Sequence, residues 1–129
     1  MAMTAHLGIE LMADEGRNLL RIRFNGRIGV PAMKAGVDAI TGEMTVMRRD
    51  FRVLTDLSHL ESMDIDCVGP LTKMMELFKK HGVGTVVRVI PDPAKDIGFN
   101  ILSITHYRGG VRVVTCETIA EAERALRPA

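Results

Sequence analysis

Tryptophan is missing from the 129 residues, tyrosine occurs once and cysteine twice. Cys67 and Cys116 are far apart in sequence, which excludes a disulfide framework and a cysteine zinc cluster. No apolar run approaches the ~20 residues of a membrane-spanning helix. Met1 to Leu7 has neither the basic start nor the long apolar stretch of a secretion signal. Charge of one sign is also lacking. With 17 basic against 16 acidic residues, the formal charge of +1 gives no general pull towards nucleic acid or anionic lipid. These absences lead to the expectation of a soluble, reduced, cytoplasmic protein.

What is present is ordinary for a globular chain, 47% hydrophobic and 26% charged. The length suits one domain over residues 1–129, with a core from about 7 to 127. Because aromatics are few and methionines number nine, the core must be aliphatic, with Met filling gaps.

Punctuation by turn residues divides the chain regularly. Leu7 to Met12 and Asn18 to Phe24 are β-type runs around a turn containing Gly16, and Leu20, Ile22 and Phe24 alternate with Arg21 and Arg23. A period of two marks a strand with one face buried, so these runs predict an antiparallel hairpin. Gly26 and Gly29 are expected to break the second strand, and Pro31 suits the first turn of a helix carrying Met33, Val37, Ile40 and Met44. Gly36 weakens that helix by about 1 kcal/mol relative to Ala and is a candidate for close packing.

Phe51 to Leu57 reads as the next strand, with Ser58-His59 turn-like after it. A stripe of Val68, Leu71, Met74, Met75 and Phe78 opposes Lys73, Glu76, Lys79 and Lys80, and Gly82 is a natural stop. Val83 to Ile90 is apolar and β-branched, as in a strand covered on both faces. Asp92-Pro93 opens a third helical segment with Ile97, Ile101 and Ile104, ended by Gly109-Gly110. Val111 to Val114 is a last strand, and Thr118 with Glu121 has the spacing of a capping box for a final helix. Helices between the later strands imply parallel pairing. The expected fold is a small α/β sandwich: a mixed, mainly parallel sheet with an N-terminal antiparallel hairpin, and helices packed on it.

Chemistry-bearing patterns are sparse. His6, His59, His81 and His106 are scattered without metal-ligand spacing, so neither metal nor cofactor is expected. No Gly-x-Ser-x-Gly elbow surrounds Ser58, Ser62 or Ser103. Gly82-Val-Gly84 precedes a strand and is a turn, unlike a dinucleotide fingerprint. Asp56, near a strand end, lacks the further acids a phosphoacceptor site needs to hold a divalent cation. Cys67 would begin a helix, where the dipole lowers a thiol pKa, but Asp64 and Asp66 repel the thiolate. No catalytic set assembles, and an enzyme is not expected. Asp64 and Asp66 themselves suit the positive end of a helix dipole, a role worth ~1 kcal/mol.

At this segment the chain resembles a STAS domain, the fold shared by anti-sigma-factor antagonists and the cytoplasmic tails of sulfate transporters. The likeness runs from about Asn18 to Leu126. It is carried by Leu-Arg-Ile-Arg-Phe-Asn-Gly-Arg-Ile at 20–28, Val-Leu-Thr-Asp-Leu-Ser at 53–58, the helix ending at His81-Gly82, and Thr-Ile-Ala-Glu-Ala from Thr118. The family has Asp-Ser-Ser-Gly-Leu where its middle helix begins, and the second Ser is the phosphorylated switch. Counting back from Gly82, the ungapped match puts Asp64 on the family Asp, Ile65 on the first Ser, Asp66 on the switch and Cys67 on the Gly. A two-residue shift puts Asp66 on the family Asp and Val68 on the switch. Neither register leaves a phosphorylatable residue.

The resemblance implies a non-catalytic, regulatory protein–protein interaction domain without the serine switch. Its switch position and partner surface would comprise Met63, Asp64, Ile65, Asp66, Cys67 and Thr72. The implied partner is an anti-sigma-factor or kinase-like regulator, with a homodimer as a further option and no nucleic acid or membrane span. The alternative is a sensor holding a small apolar or anionic ligand at the same helix N-terminus.

Overall fold

The computed structural model describes residues 4–6, 8–90 and 111–127. Six strands form one sheet in sequence order: β1 (Thr4–His6), β2 (Ile9–Asp14), β3 (Leu19–Ile28), β4 (Arg52–Met63), β5 (Thr85–Val89) and β6 (Arg112–Cys116). β1, β2 and β3 pair antiparallel, and β3 through β6 pair parallel. The helices are α1 (Val30–Met44), α2 (Val68–His81) and α3 (Ile119–Ala125), and a 3-10 turn, Ile65–Cys67, leads into α2.

Strand alternation sorts the core into two layers. Leu20, Ile22 and Phe24 of β3 join Val53 and Leu57 of β4 and Val86 of β5 on one face. There they meet Met33, Val37 and Ile40 of α1 and Leu71, Met74, Met75 and Phe78 of α2. The residues between them, Leu19, Leu54, Val87 and Val89, face the other way against Ala122 and Leu126. β5 is therefore buried on both faces, which explains its mainly apolar, β-branched sequence. Its one charged member, Arg88, is also buried and donates to Thr115 Oγ1 at 2.7 Å.

The helix ends follow the local signals. Pro31 occupies the first turn of α1. Gly82 closes α2 in the left-handed conformation, φ 97°, a geometry that penalises a Cβ. The Thr118 hydroxyl accepts from Glu121 N at 3.2 Å to start α3. An ion pair of 2.6 Å between Arg21 and Glu123 ties α3 back to β3.

That hydrogen bond and the guanidinium's charge hold the Glu123 carboxyl below its ordinary value. A depressed carboxyl stabilises the fold above the unfolded-state pKa, about 4.3, and loses that contribution as pH falls through the folded value. Glu123→Gln is therefore expected to be less stable than wild type at neutral pH, by no more than about 1 kcal/mol for a partly exposed pair. Urea melts should show the gap closing on acidification to about pH 3.

Several expectations are corrected. β1 precedes the first strand read from the pattern, which begins at Ile9 and not at Leu7. Gly26 does not break β3, which continues to Ile28, and Ser58-His59 is not a turn but the middle of β4. The cause is non-local: Asn25 pairs with His59, Gly26 with Leu60 and Ile28 with Met63 across two register shifts. These bulges absorb extra residues of β4 and carry the strand past its turn-forming side chains. Cys116 ends β6 and does not follow it. The helical segment expected from Asp92 to Ile104 lies outside the described residues.

Candidate interaction site

β4 runs past the last residue it pairs with β5, Asp56, and delivers Met63 beside Ile28. The chain then turns sharply. Asp64 N–H donates to Ile28 O at 2.9 Å, and the Asp64 carboxylate accepts from Asp66 N at 3.3 Å, capping the 3-10 turn. This is the N-terminal capping role that the side-chain chemistry predicts. Cys67 swings inward and is fully buried. Asp66 and Val68, on either side of it, are exposed.

The consequence is an unusual apolar exposure. Ile65 is 82% exposed, with Asp64 and Asp66 exposed on either side of it and Val68 41% exposed one turn on. Among the described residues, the other exposed large hydrophobics are Val46 and Ile119, each close to 40%. Met63 and Thr72 are half-buried at the margin. Of the six residues picked out by resemblance, Asp64, Ile65 and Asp66 share one open corner. Cys67 is not on that surface. Val68, placed by its spacing on the buried stripe of α2, lies on the corner as well.

Burial raises the Cys67 thiol pKa first, and the Asp64 and Asp66 charges raise it further. The thiolate is the reactive form, so Cys67 lacks the activation that nucleophilic chemistry requires.

Beside the corner, a groove of about 350 Å³ runs between α1 and α2, lined by Lys34, Val37, Asp38, Gly69, Pro70 and Lys73. The sequence pattern did not reveal it. Its residues come from two helices that are far apart in sequence and meet only in the fold.

A second polar cluster occupies the opposite sheet face. Asp56 is 4% exposed and sits inside β4, not at a strand end. It accepts from Ser58 N at 2.9 Å and Ser58 Oγ at 2.5 Å, and lies 3.3 Å from Arg23 Nε. His59 Nδ1 is 3.1 Å from the same hydroxyl. With the serine proton committed to Asp56, the histidine must act as donor. This is the wrong order for a histidine that removes a serine proton. Among the described residues, no group of His, Cys, Asp and Glu side chains is placed to hold a metal ion. No helix of these residues is long and apolar enough to cross a membrane.

With this geometry in place, comparison with solved structures decides the fold. An uncharacterised DUF3478-family protein from Shewanella loihica, with a SpoIIAA-like fold, superposes with a TM-score of 0.68 at 13% identity, covering 98% of this chain and 99% of that one. The unphosphorylated anti-sigma factor antagonist SpoIIAA gives 0.60 at 20% identity, covering 94% and 99%. The chain has the SpoIIAA-like, or STAS, fold.

A third match comes from the complex of the diguanylate cyclase SiaD with its activator SiaC, from Pseudomonas aeruginosa, with a TM-score of 0.55 at 7% identity over 90% and 98% of the two chains. No family model and no curated protein matches the sequence. The likeness is thus one of architecture.

Proposed function

We propose that this chain is a non-catalytic regulatory domain that binds a protein partner through the corner formed by Asp64, Ile65, Asp66 and Val68. The observation that carries the reading is Ile65: an aliphatic side chain held out in water by a capped turn, between two carboxylates. A buried apolar anchor within a charged rim is how protein interfaces concentrate binding energy. Two structural neighbours support the reading by what they are named for, one as an anti-sigma factor antagonist and one as a complex of an enzyme with its activator. In the ungapped match to the family motif, Asp66 takes the place of the phosphorylated serine. A phosphate would add ~1.5–2 negative charges on demand, whereas the carboxylate supplies one permanently. Partner binding is therefore constitutive with respect to that charge.

The test is affinity capture from a native lysate with wild type, Ile65→Asp, Asp66→Arg and a distant control, Glu117→Gln. Wild type and control should retain the same stoichiometric protein. Both corner variants should weaken it at least about tenfold, the scale of a truncated hot spot. Identical capture by all four proteins would refute the proposal.

The groove beside the corner favours a second reading, a small-ligand sensor. That reading requires a metabolite that raises the melting temperature of wild type and not of Lys34→Glu/Lys73→Glu.

A further inference from the structure

The corner and the groove are contiguous, and their characters are complementary. The start of α2 carries both: Val68 belongs to the corner, and Gly69, Pro70 and Lys73 follow it as one wall of the groove. The other wall is the first half of α1, with Lys34, Val37 and Asp38. Val37 supplies apolar lining, and both lysines are exposed. The corner is the converse, an exposed Ile65 with Asp64 and Asp66 beside it. An aliphatic side chain between two carboxylates thus adjoins a partly apolar groove between two ammonium groups.

Neither half is matched inside the chain. Among the described residues, no ion pair involves Asp64, Asp66, Lys34, Asp38 or Lys73. Asp38 offsets one of the two lysines, and the groove lining keeps an excess of positive charge. The other acidic side chains nearby are Glu61, which lies 3.8 Å from Arg27, and Glu76, one turn beyond Lys73. Gly69 adds a steric observation. Glycine is a poor helix former, yet it stands in α2, and a Cβ on it would meet nothing within 4 Å. No contact with the described residues requires so small a side chain, whereas glycine does let a second molecule approach the backbone closely.

We infer that the corner of one copy of this chain inserts into the groove of a second copy, and the reverse, to form a two-fold symmetric dimer. Symmetry makes this economical. A two-fold axis between adjacent patches brings each onto the other, so both contacts form at once. Ile65 enters the groove, whose volume of about 350 Å³ has room for its side chain. Asp64 and Asp66 then face Lys34 and Lys73 of the other copy, and opposite charges fix the register. The dimer covers Ile65, and dissociation at low chain concentration exposes it. Self-association therefore competes with any other protein for the corner. That last consequence rests on the proposed partner reading, whereas the dimer rests on the geometry alone.

Sedimentation equilibrium of the full chain, from about 5 to about 500 μM, tests the inference. Wild type should pass from monomer to dimer within that range. Ile65→Asp removes the anchor, and Gly69→Leu fills the groove without meeting its own chain. Each should raise the dissociation constant at least about tenfold. Two charge variants, Lys34→Glu/Lys73→Glu and Asp64→Ser/Asp66→Lys, should each be monomeric, because like charges then face each other. Serine at position 64 keeps a capping oxygen for the turn. Mixed in equal amounts, the two should associate one to one, since both halves of the contact again pair opposite charges. The same two variants carrying Gly69→Leu, with identical net charges, should not associate. Melting temperatures near wild type establish that the variants fold. A chain that stays monomeric throughout, a dimer that tolerates Ile65→Asp and Gly69→Leu, or equal association of both mixtures would overturn the inference. A monomer whose capture of another protein still depends on Ile65 would overturn it alone and leave the proposed function standing.

Discussion

Phe51→Ala is expected to destabilise the protein by about 3–5 kcal/mol, the usual cost of deleting a fully buried aromatic side chain. Phe51 is 0% exposed and stands at the point where the turn after α1 enters β4. Its ring meets Phe78 of α2 edge-on at 6.2 Å and His81 at 5.7 Å. Edge-to-face contacts add to the simple burial term. His81 also reaches Met47 O at 3.0 Å, so the ring braces the C-terminal end of α2 against the turn. A loss of that size consumes a large part of the 5–15 kcal/mol typical of a domain. Urea melts should show the midpoint falling sharply with the slope retained. A shift worth less than about 1 kcal/mol would mean that the site collapses without leaving a cavity.

Gly36→Ala should also destabilise, although alanine is the better helix former by about 1 kcal/mol. Gly36 lies on the buried face of α1. A Cβ there would sit 2.6 Å from Ile9 Cδ1, closer than packed carbon atoms allow, and in ordinary contact with Ile9 Cγ2 at 3.5 Å. Overpacking of this kind costs about 1–3 kcal/mol and outweighs the gain in propensity. The obstructing atom is the one Ile9→Val removes. In a double-mutant cycle, Ile9→Val/Gly36→Ala should therefore be more stable than the sum of its parts by about 1 kcal/mol. Additivity within about 0.5 kcal/mol would show that Ile9 simply rotates away.

The same residue shows how far the sequence could be read. Glycine inside a helical pattern signals close packing, but only the fold names Ile9 as the neighbour, because β2 and α1 meet through tertiary structure. Boundaries behaved alike. Gly82, Pro31 and Thr118 act within a few residues of themselves, and each ends or starts a helix where its chemistry predicts. Ser58-His59 and Gly26 carry turn chemistry too, yet both lie inside strands, since β3 and β4 pair through them. Local preference is worth tenths of a kcal/mol to about 1 kcal/mol, and a ladder of backbone hydrogen bonds with a buried face overrides it.

For the candidate site, acidic residues at the start of a helix were legible because capping is a local matter. A surface place for Ile65 was implied only by the resemblance, since no periodicity in the sequence shows this isoleucine to be exposed.

The order of strands β2 to β6 and of the three described helices, and the caps at Gly82 and Thr118, follow from the sequence alone, since period and capping are properties of neighbouring residues. Which strand runs on through its own turn residues and which apolar side chain is left in water were decided by the tertiary structure. Those outcomes depend on residues that meet only after the chain has closed its sheet.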